Sequence, residues 1–250
     1  PTTDPRPRNA MTSAFTPHPE MLRIHDLHAF YGESHILHGI DIKVARGECV
    51  TLLGRNGSGR STTLKSVLGL VGKRTGSIMV NGREVIAEPT HRMARYGIGY
   101  VPEERAIFAS LSTEENLMLP PQVASGALSV EEIYQMFPNL QERRNSPGSK
   151  LSGGEQQMLA MARVLRTGAK LLLLDEITEG LAPVIVKKLG EVIVELKSRG
   201  FTIVLVEQNF RFAAPLADRH YVLEHGEIIA TITAEELPGK MDWLHQTLGV

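Results

Sequence analysis

The sequence predicts an α/β fold: a doubly wound, mainly parallel sheet with an antiparallel β subdomain and an inserted helical subdomain. Three segments are continuous apolar runs, as parallel strands covered on both faces require: CVTLL at 49–53, LLLLD at 171–175 and TIVLV at 202–206. Helical patterns follow two of these runs, after Gly59 and after Leu181. Buried strands that alternate with helices are typical of α/β domains.

The antiparallel β subdomain is predicted from alternation of apolar and polar residues. Apolar residues alternate as in half-buried strands at Leu22, Ile24, Ile40, Ile42 and Val44. Asn81-Gly82 separates two short strand patterns and predicts a tight hairpin. A last hairpin is predicted at 221–230, followed by a helical tail over 234–248.

The two helical patterns differ in how clearly they end. The pattern after Gly59 has an apolar face made by Leu64, Val67, Leu68 and Val71. The pattern after Leu181 begins near Pro183 and ends at Gly200. Its apolar stripe comprises Leu189, Val192, Ile193 and Leu196.

The helical subdomain is predicted at about residues 110–168, where strand patterns disappear. Three serines there have a glutamate three residues later, the capping-box spacing that begins helices. These pairs are Ser112 with Glu115, Ser129 with Glu132, and Ser152 with Glu155.

Length and composition fit one large domain, expected over residues 21–250 after a flexible leader at 1–20. With 27 basic and 28 acidic residues, the net charge is -1, which provides no general attraction to nucleic acid. The single cysteine, Cys49, lies in an apolar run and is expected to be buried. No apolar run approaches the ~18 residues that span a bilayer.

The segment GRNGSGRST nearly matches the phosphate-binding pattern G-x-x-x-x-G-K-[ST], with arginine in place of lysine. We call it the phosphate loop; it comprises Gly54, Arg55, Asn56, Gly57, Ser58, Gly59, Arg60, Ser61 and Thr62. Because it lies between a buried strand and a helix, its backbone N–H groups can surround an anion. The Ser61 hydroxyl suits Mg²⁺, and Thr62 can bond a phosphate. Arg60 keeps the positive charge and can donate to two phosphate oxygens.

Two further motifs complete a candidate nucleotide site. The strand pattern LLLLDE ends with Asp175 and Glu176. Asp175 is expected to hold Mg²⁺, and Glu176 is expected to orient and deprotonate the attacking water. LSGGEQQ at 151–157, here called the signature segment, opens a helix. Its N-terminus offers the Ser152 hydroxyl and the N–H groups of Gly153 and Gly154 to an anion.

The phosphate loop, the signature segment and LLLLDE, in this order and spacing, resemble the ATP-binding subunit of an ABC transporter over roughly residues 21–250. The resemblance implies an ABC-type P-loop NTPase fold with ATP and Mg²⁺ as cofactors. It implies a head-to-tail dimer in which Ser152, Gly153 and Gly154 close over the γ-phosphate held by the other subunit. It assigns Tyr31 to stacking on adenine. The chain is then a peripheral ATPase on the cytoplasmic face of the inner membrane, beside permease subunits and, indirectly, a solute-binding protein.

Several residues depart from the wider family. Glu103 stands where many members have glutamine, and Gln208 where many have histidine; the resemblance assigns both to catalysis and Glu103 also to Mg²⁺. With GLAP at 180–183 they resemble importers of branched-chain amino acids, whose ATPase works beside a second, non-identical one. TEG and FRFAAPLADR are also similar to urea importers, so both solute classes stay open.

Two alternative functions and two further groups of residues complete the predictions. Arg60, Glu103 and Gln208 are consistent with a subunit that mainly binds nucleotide while a partner hydrolyses it, although the intact Asp175-Glu176 pair opposes this interpretation. An ATPase acting on nucleic acid is disfavoured, since no basic stripe is present. The cluster of His25, His28, His35 and His38 is expected to be solvated or packed rather than metal-binding. By resemblance, Phe108 is a candidate anchor for the permease.

Overall fold

The computed structural model describes residues 19–249. The strands are β1 Glu20–Tyr31, β2 Ser34–Ala45, β3 Cys49–Gly54, β4 Lys73–Val80, β5 Arg83–Glu84, β6 Ile98–Val101, β7 Leu171–Asp175, β8 Thr202–Val206, β9 Arg219–Glu224 and β10 Glu227–Thr233. The α-helices are α1 Arg60–Val67, α2 Thr90–Met93, α3 Thr113–Met118, α4 Val130–Met136, α5 Pro138–Glu142, α6 Gly153–Leu165, α7 Pro183–Ser198, α8 Phe210–Ala213 and α9 Leu237–Leu248.

The strands form two sheets. Four strands make an antiparallel sheet in the order β2-β1-β4-β5, and six make a second sheet in the order β10-β9-β3-β8-β7-β6. In the second sheet every neighbouring pair is parallel except β9 and β10. The predicted α/β class, with a mainly parallel sheet and an antiparallel β region, is confirmed.

The three continuous apolar runs are buried on both faces of the six-stranded sheet. Every residue of β3, β7 and β8 is buried. Alternate residues enter two separate cores: Leu171 and Leu173 pack with the antiparallel sheet, whereas Leu172 and Leu174 pack with the helices. Nearly every position is therefore apolar, as predicted, and the buried threonines Thr51 and Thr202 are hydrogen-bonded to His220 and to the Gly47 N–H. Cys49 begins β3 and is fully buried.

Both predicted hairpins are present. Asn81 (φ 50) and Gly82 (φ 75) connect β4 to β5 in the left-handed conformation that a two-residue hairpin turn needs. His225 and Gly226 connect β9 to β10 in the same way.

The predicted helix starts are confirmed, and two helix boundaries differ. All three serine–glutamate pairs form complete capping boxes, at the starts of α3, α4 and α6. Helix α1 ends at Val67, so the expectation that Val71 lies on it is wrong. Gly69 (φ 73) reverses the chain there, with Leu70 N–H bonded to the Lys65 carbonyl. Helix α9 starts at Leu237 rather than Ala234; residues 234–236 form a turn, in which Thr233 and Glu236 exchange side-chain-to-backbone hydrogen bonds.

Within the predicted helical subdomain the structure contains α3, α4, α5 and α6; the subdomain boundaries stay a prediction. The predicted flexible leader, at 1–20, lies outside the described residues except for its last two. Over residues 19–249, no helix is both long and apolar enough to cross a membrane.

Candidate functional site

A cavity of about 440 Å³ opens beside the phosphate loop, where β3 meets α1. Its wall is made by Tyr31, Ile36, Asn56, Gly57, Ser58, Gly59, Arg60, Ser61, Thr62, Glu103, Glu176, Glu179 and Gln208. The structure thus brings together most of the residues predicted to bind nucleotide. Ile36 and Glu179 were not predicted, and only their positions in the fold reveal them.

The backbone of the phosphate loop has little room for side chains at two of its three glycines, Gly54 and Gly59. A Cβ on Gly54 would collide with Ser58 Oγ and with the Leu223 carbonyl. Gly59, with φ 105, would place a Cβ 2.7 Å from Leu37. Ser58 Oγ is buried without a hydrogen-bond partner among the described residues. A buried hydroxyl left unsatisfied in a concave, N–H-rich loop fits an anionic ligand such as a phosphate.

Ser61 and Asp175 are in direct contact at the base of the cavity. Ser61 Oγ donates to Asp175 Oδ1 at 2.9 Å, and the Tyr100 hydroxyl donates to Asp175 Oδ2 at 3.0 Å. Burial raises the pKa of the Asp175 carboxyl, against the effect of these two bonds. A hydroxyl and a carboxylate oxygen are ligands that Mg²⁺ accepts, so the pair fits the predicted cation.

Glu176 follows β7 directly and has a left-handed backbone, with φ 48. Its two oxygens have different donors: Arg60 Nη2 lies 3.0 Å from Oε1, and Gln208 Nε2 lies 2.9 Å from Oε2. Burial raises the pKa of Glu176, and the positive charge of Arg60 opposes that rise. A carboxylate with a raised pKa at the wall of a cavity is suited to accept a proton from water.

Arg60 is directed across the base of the cavity. Its side chain is buried, and its guanidinium donates to the Glu207 carbonyl at 3.0 Å and to Asn56 Oδ1 at 3.3 Å, in addition to Glu176. Burial lowers the pKa of Arg60, but an arginine stays charged at neutral pH. Arg60, which stands where the phosphate-binding pattern has lysine, therefore forms an ion pair with the candidate base.

Glu103 and Glu179 lie at the cavity wall close to Glu176. Desolvation raises the pKa of Glu103, and the neighbouring carboxylates of Glu179 and Glu176 raise it further. Among residues 19–249 these acids do not form a group that could hold a metal ion by itself, so the assignment of Glu103 to Mg²⁺ stays a prediction.

The other predicted site residues do not line this cavity. Gly54 and Arg55 line neighbouring cavities at the end of α9. The signature residues Ser152, Gly153 and Gly154 sit at the N-terminus of α6, where Arg105 approaches Gly153 and Ile185 packs against Gly154. In one chain, therefore, the two anion-binding segments do not share the cavity.

The four histidines lie in β1 and β2 and are partly exposed; three of them are hydrogen-bonded to one another or to carboxylates, and the His38 ring packs against His35. His28 bonds His35 and Asp26, and His25 bonds Asp41. Within residues 19–249 no group of three or more histidine, cysteine or acidic side chains could hold a metal ion.

Phe108 is an exposed aromatic residue between β6 and α3. Nearly half of its surface, 47%, is accessible, and the Arg163 guanidinium lies 5.1 Å from its ring centre. The exposure is inconsistent with a core role.

The chain is similar to known proteins along most of its length. The ABC transporter family model matches residues 37–179. The chain is 40% identical over 220 residues to the high-affinity branched-chain amino acid transport ATP-binding protein BraG of Pseudomonas aeruginosa, covering 87% of this chain and 94% of BraG. It is 38% identical over 229 residues to the probable branched-chain amino acid transport ATP-binding protein LivF of Archaeoglobus fulgidus, with 87% and 94% covered. Similarity extends to the lipopolysaccharide export ATP-binding protein LptB of Escherichia coli, at 34% over 214 residues, with 83% and 88% covered.

Solved structures have the same fold. An ATP-binding subunit of an ABC transporter superimposes with a TM-score of 0.78 at 28% identity, covering 92% of this chain and 100% of that one. The ATP-binding cassette MJ0796, solved as a dimer in a post-hydrolysis state with ADP and Pi, gives 0.74 at 25% identity, with 86% and 99% covered.

Proposed function

Because the chain belongs to the ABC transporter family of ATP-binding subunits, we propose that it is the ATPase of an importer for branched-chain or other hydrophobic amino acids. ATP hydrolysis coupled to transport is the activity of the family. The solute class is proposed from BraG and LivF, whose names specify branched-chain amino acids. The observation that carries the ATPase assignment is a single cavity lined by residues 56–62 of the phosphate loop and by Glu176, with Asp175 hydrogen-bonded to the lining residue Ser61.

The proposed nucleotide contacts follow from the cavity wall. Backbone N–H groups of residues 54–62 would surround the phosphates, and the half-exposed Tyr31 ring would stack on adenine. Ser61 and Asp175, with Glu103 nearby, would hold Mg²⁺. When bound, the cation neutralises charge on the β- and γ-phosphate oxygens.

In the proposed reaction Glu176 orients a water molecule and takes its proton. Arg60 and Gln208 each donate to one Glu176 oxygen, and each oxygen keeps a further lone pair. We propose that the Arg60 bond opens before proton transfer, because the positive charge of Arg60 lowers the pKa of Glu176 and weakens it as a base. Arg60 would then be free to donate to phosphate oxygens. Gln208 can donate a hydrogen bond to the γ-phosphate but cannot carry a proton as histidine does.

We propose that the working unit is a head-to-tail dimer with a second copy or a second ATP-binding subunit. Ser152, Gly153 and Gly154 present the start of α6 to an anion but do not line the cavity of their own chain. A facing chain would supply them to the nucleotide. The dimeric form of MJ0796 supports this arrangement.

The proposed location is the cytoplasmic face of the inner membrane, with the chain bound to permease subunits. The exposed Phe108 side chain is the proposed anchor for that contact. A solute-binding protein would act through the permease and not on this chain; no nucleic acid partner is proposed.

The Arg60–Glu176 ion pair favours a second candidate, a subunit that mainly binds nucleotide while a partner ATPase does most of the hydrolysis. In that case Glu176→Gln in this chain would leave transport nearly unchanged. In the main proposal the same change abolishes it.

The proposal is tested by uptake of labelled leucine, isoleucine and valine in cells that lack the chain and are complemented with it or with Glu176→Gln. We expect uptake to be restored only by the unchanged chain. Restored urea uptake with no restored amino-acid uptake would show the solute class to be wrong, and urea is the alternative left open by the sequence.

A further inference from the structure

Glu207 is a buried carboxylate next to Gln208, the residue assigned to catalysis where many family members have histidine. No step described so far uses the Glu207 side chain. Only 2% of its surface is accessible. Both of its oxygens accept hydrogen bonds from Thr178: the backbone N–H donates at 3.0 Å and Oγ1 donates at 2.8 Å. We call this pair of bonds the Glu207–Thr178 contact.

The contact lies where the sheet ends. The parallel pairing of β7 with β8 stops at Asp175 and Val206, and one more backbone bond joins Glu176 N–H to the Val206 carbonyl at 2.9 Å. Beyond that point the segments that follow β7 and β8 separate. The Glu207 side chain then takes the place of a strand carbonyl as the acceptor for the Thr178 N–H.

The segments joined in this way carry the two residues closest to the proposed chemistry. Glu176 precedes Thr178 by two residues and has a left-handed backbone, a conformation that costs a non-glycine residue about 1 kcal/mol or more. Gln208 follows Glu207 and bonds Glu176 at 2.9 Å. The Glu207 carbonyl also accepts the bond from Arg60.

We propose that Glu207 is a positioning residue for hydrolysis, which holds Glu176 and Gln208 at their mutual distance through the Glu207–Thr178 contact. This inference rests on the proposed role of Glu176 as the base. Glu207 does not line the cavity that contains Glu176. Its carboxylate accepts hydrogen bonds from Thr178 and from the backbone N–H of Asn209, so it acts through these neighbours and through its own backbone.

The contact does not require a charge on Glu207. Burial raises the pKa of the Glu207 carboxyl to about 7, so the neutral form is well populated near neutrality. A protonated carboxyl still accepts from the Thr178 N–H and can donate to Thr178 Oγ1. A glutamine has the same acceptor and donor, whereas an alanine has neither.

Three variants separate positioning from a merely structural role: Glu207→Ala, Glu207→Gln and Thr178→Val. Two sets of measurements are made on each full-length protein. The first is amide hydrogen exchange over residues 176–181 without nucleotide, and the second is ATP affinity and turnover with MgATP.

For Glu207→Ala we expect faster exchange over 176–181 and a kcat lower by about 10- to 100-fold, with ATP affinity changed less than about threefold. Glu207→Gln is expected to restore slow exchange and most of the turnover. Thr178→Val, which keeps the N–H bond and loses the hydroxyl bond, should fall between them.

Unchanged amide exchange in Glu207→Ala would overturn the inference. A Glu207→Gln variant with a kcat as low as that of Glu207→Ala would also overturn it, since the charge of Glu207 would then matter instead of the contact. If Glu207→Ala does not fold, a lower kcat in Thr178→Val beside normal turnover in Glu207→Gln supports the inference, and equal turnover in both refutes it. Equal hydrolysis by the unchanged chain and Glu176→Gln would instead overturn the proposed function, and the exchange data would still report on the contact.

Discussion

Replacing Arg60 with lysine should speed ATP hydrolysis. The Arg60 guanidinium spans the base of the cavity and holds Glu176 Oε1 at 3.0 Å while it also bonds the Glu207 carbonyl. Both side chains are nearly buried, with 4% of Arg60 and 10% of Glu176 accessible. The compact lysine ammonium lacks the planar fork that makes both contacts at once.

The expected increase in turnover follows from the strength of the Arg60–Glu176 hydrogen bond, which Arg60→Lys removes. A hydrogen bond to a charged group contributes about 1.5–3 kcal/mol, and about 1.36 kcal/mol changes a rate tenfold. If the Arg60–Glu176 bond must break before Glu176 can take a proton, its loss increases turnover by about 10- to 100-fold. ATP affinity should change less than about threefold, because either cation can bind phosphate.

The assay is steady-state phosphate release at saturating MgATP, with equilibrium ATP binding measured in parallel. The Arg60→Lys, Glu176→Gln double variant is the matched control and should be inactive. Turnover by the unchanged chain equal to or faster than that of Arg60→Lys would refute the reasoning.

Four further results are expected. Burial raises the pKa of Glu207 to about 7, so between pH 4.5 and 7 the folded chain keeps a proton that the unfolded chain loses. The free energy of unfolding should therefore fall by up to about 3 kcal/mol as the pH rises through that window. Urea unfolding at pH 5 and pH 8 should show this fall for the unchanged chain and no such fall for Glu207→Gln. In a Mg²⁺ titration of hydrolysis, Ser61→Ala should need more Mg²⁺, whereas Tyr100→Phe, which removes the other hydroxyl on the same carboxylate, should not. Phe108→Ala should reduce copurification with the permease and leave ATP affinity unchanged; weakened ATP binding would indicate a structural role. In mixed dimers with a second ATPase, Glu176→Gln on this side alone should leave part of the hydrolysis if the partner does most of it, and complete loss would contradict unequal sites and support the main proposal.

The parallel strands were predictable because burial on two faces leaves a direct mark on the sequence. Leu171 to Leu174 alternate between two cores, so no position tolerates a polar residue until Asp175 at the strand end. The end of α1 could also have been predicted from Gly69, which occupies the left-handed position after the helix.

The contacts around Glu176 could not be predicted in the same way. Arg60 and Glu176 are 116 residues apart, and the motif containing Arg60 indicates a phosphate ligand rather than a carboxylate. Glu207 gives no signal either, since an acid after a buried strand is ordinarily solvated. The signature residues are recognisable in sequence, but they do not line the cavity of their own chain, and the second chain proposed to receive them is outside this structure.

MgATP turnover by the purified chain over a range of protein concentrations, with Glu176→Gln alongside, tests the central claim most directly. The account predicts that turnover per chain rises with concentration, because a dimer completes the site, and that Glu176→Gln abolishes it while ATP still binds. Turnover that is independent of concentration, or that persists in Glu176→Gln, would contradict it.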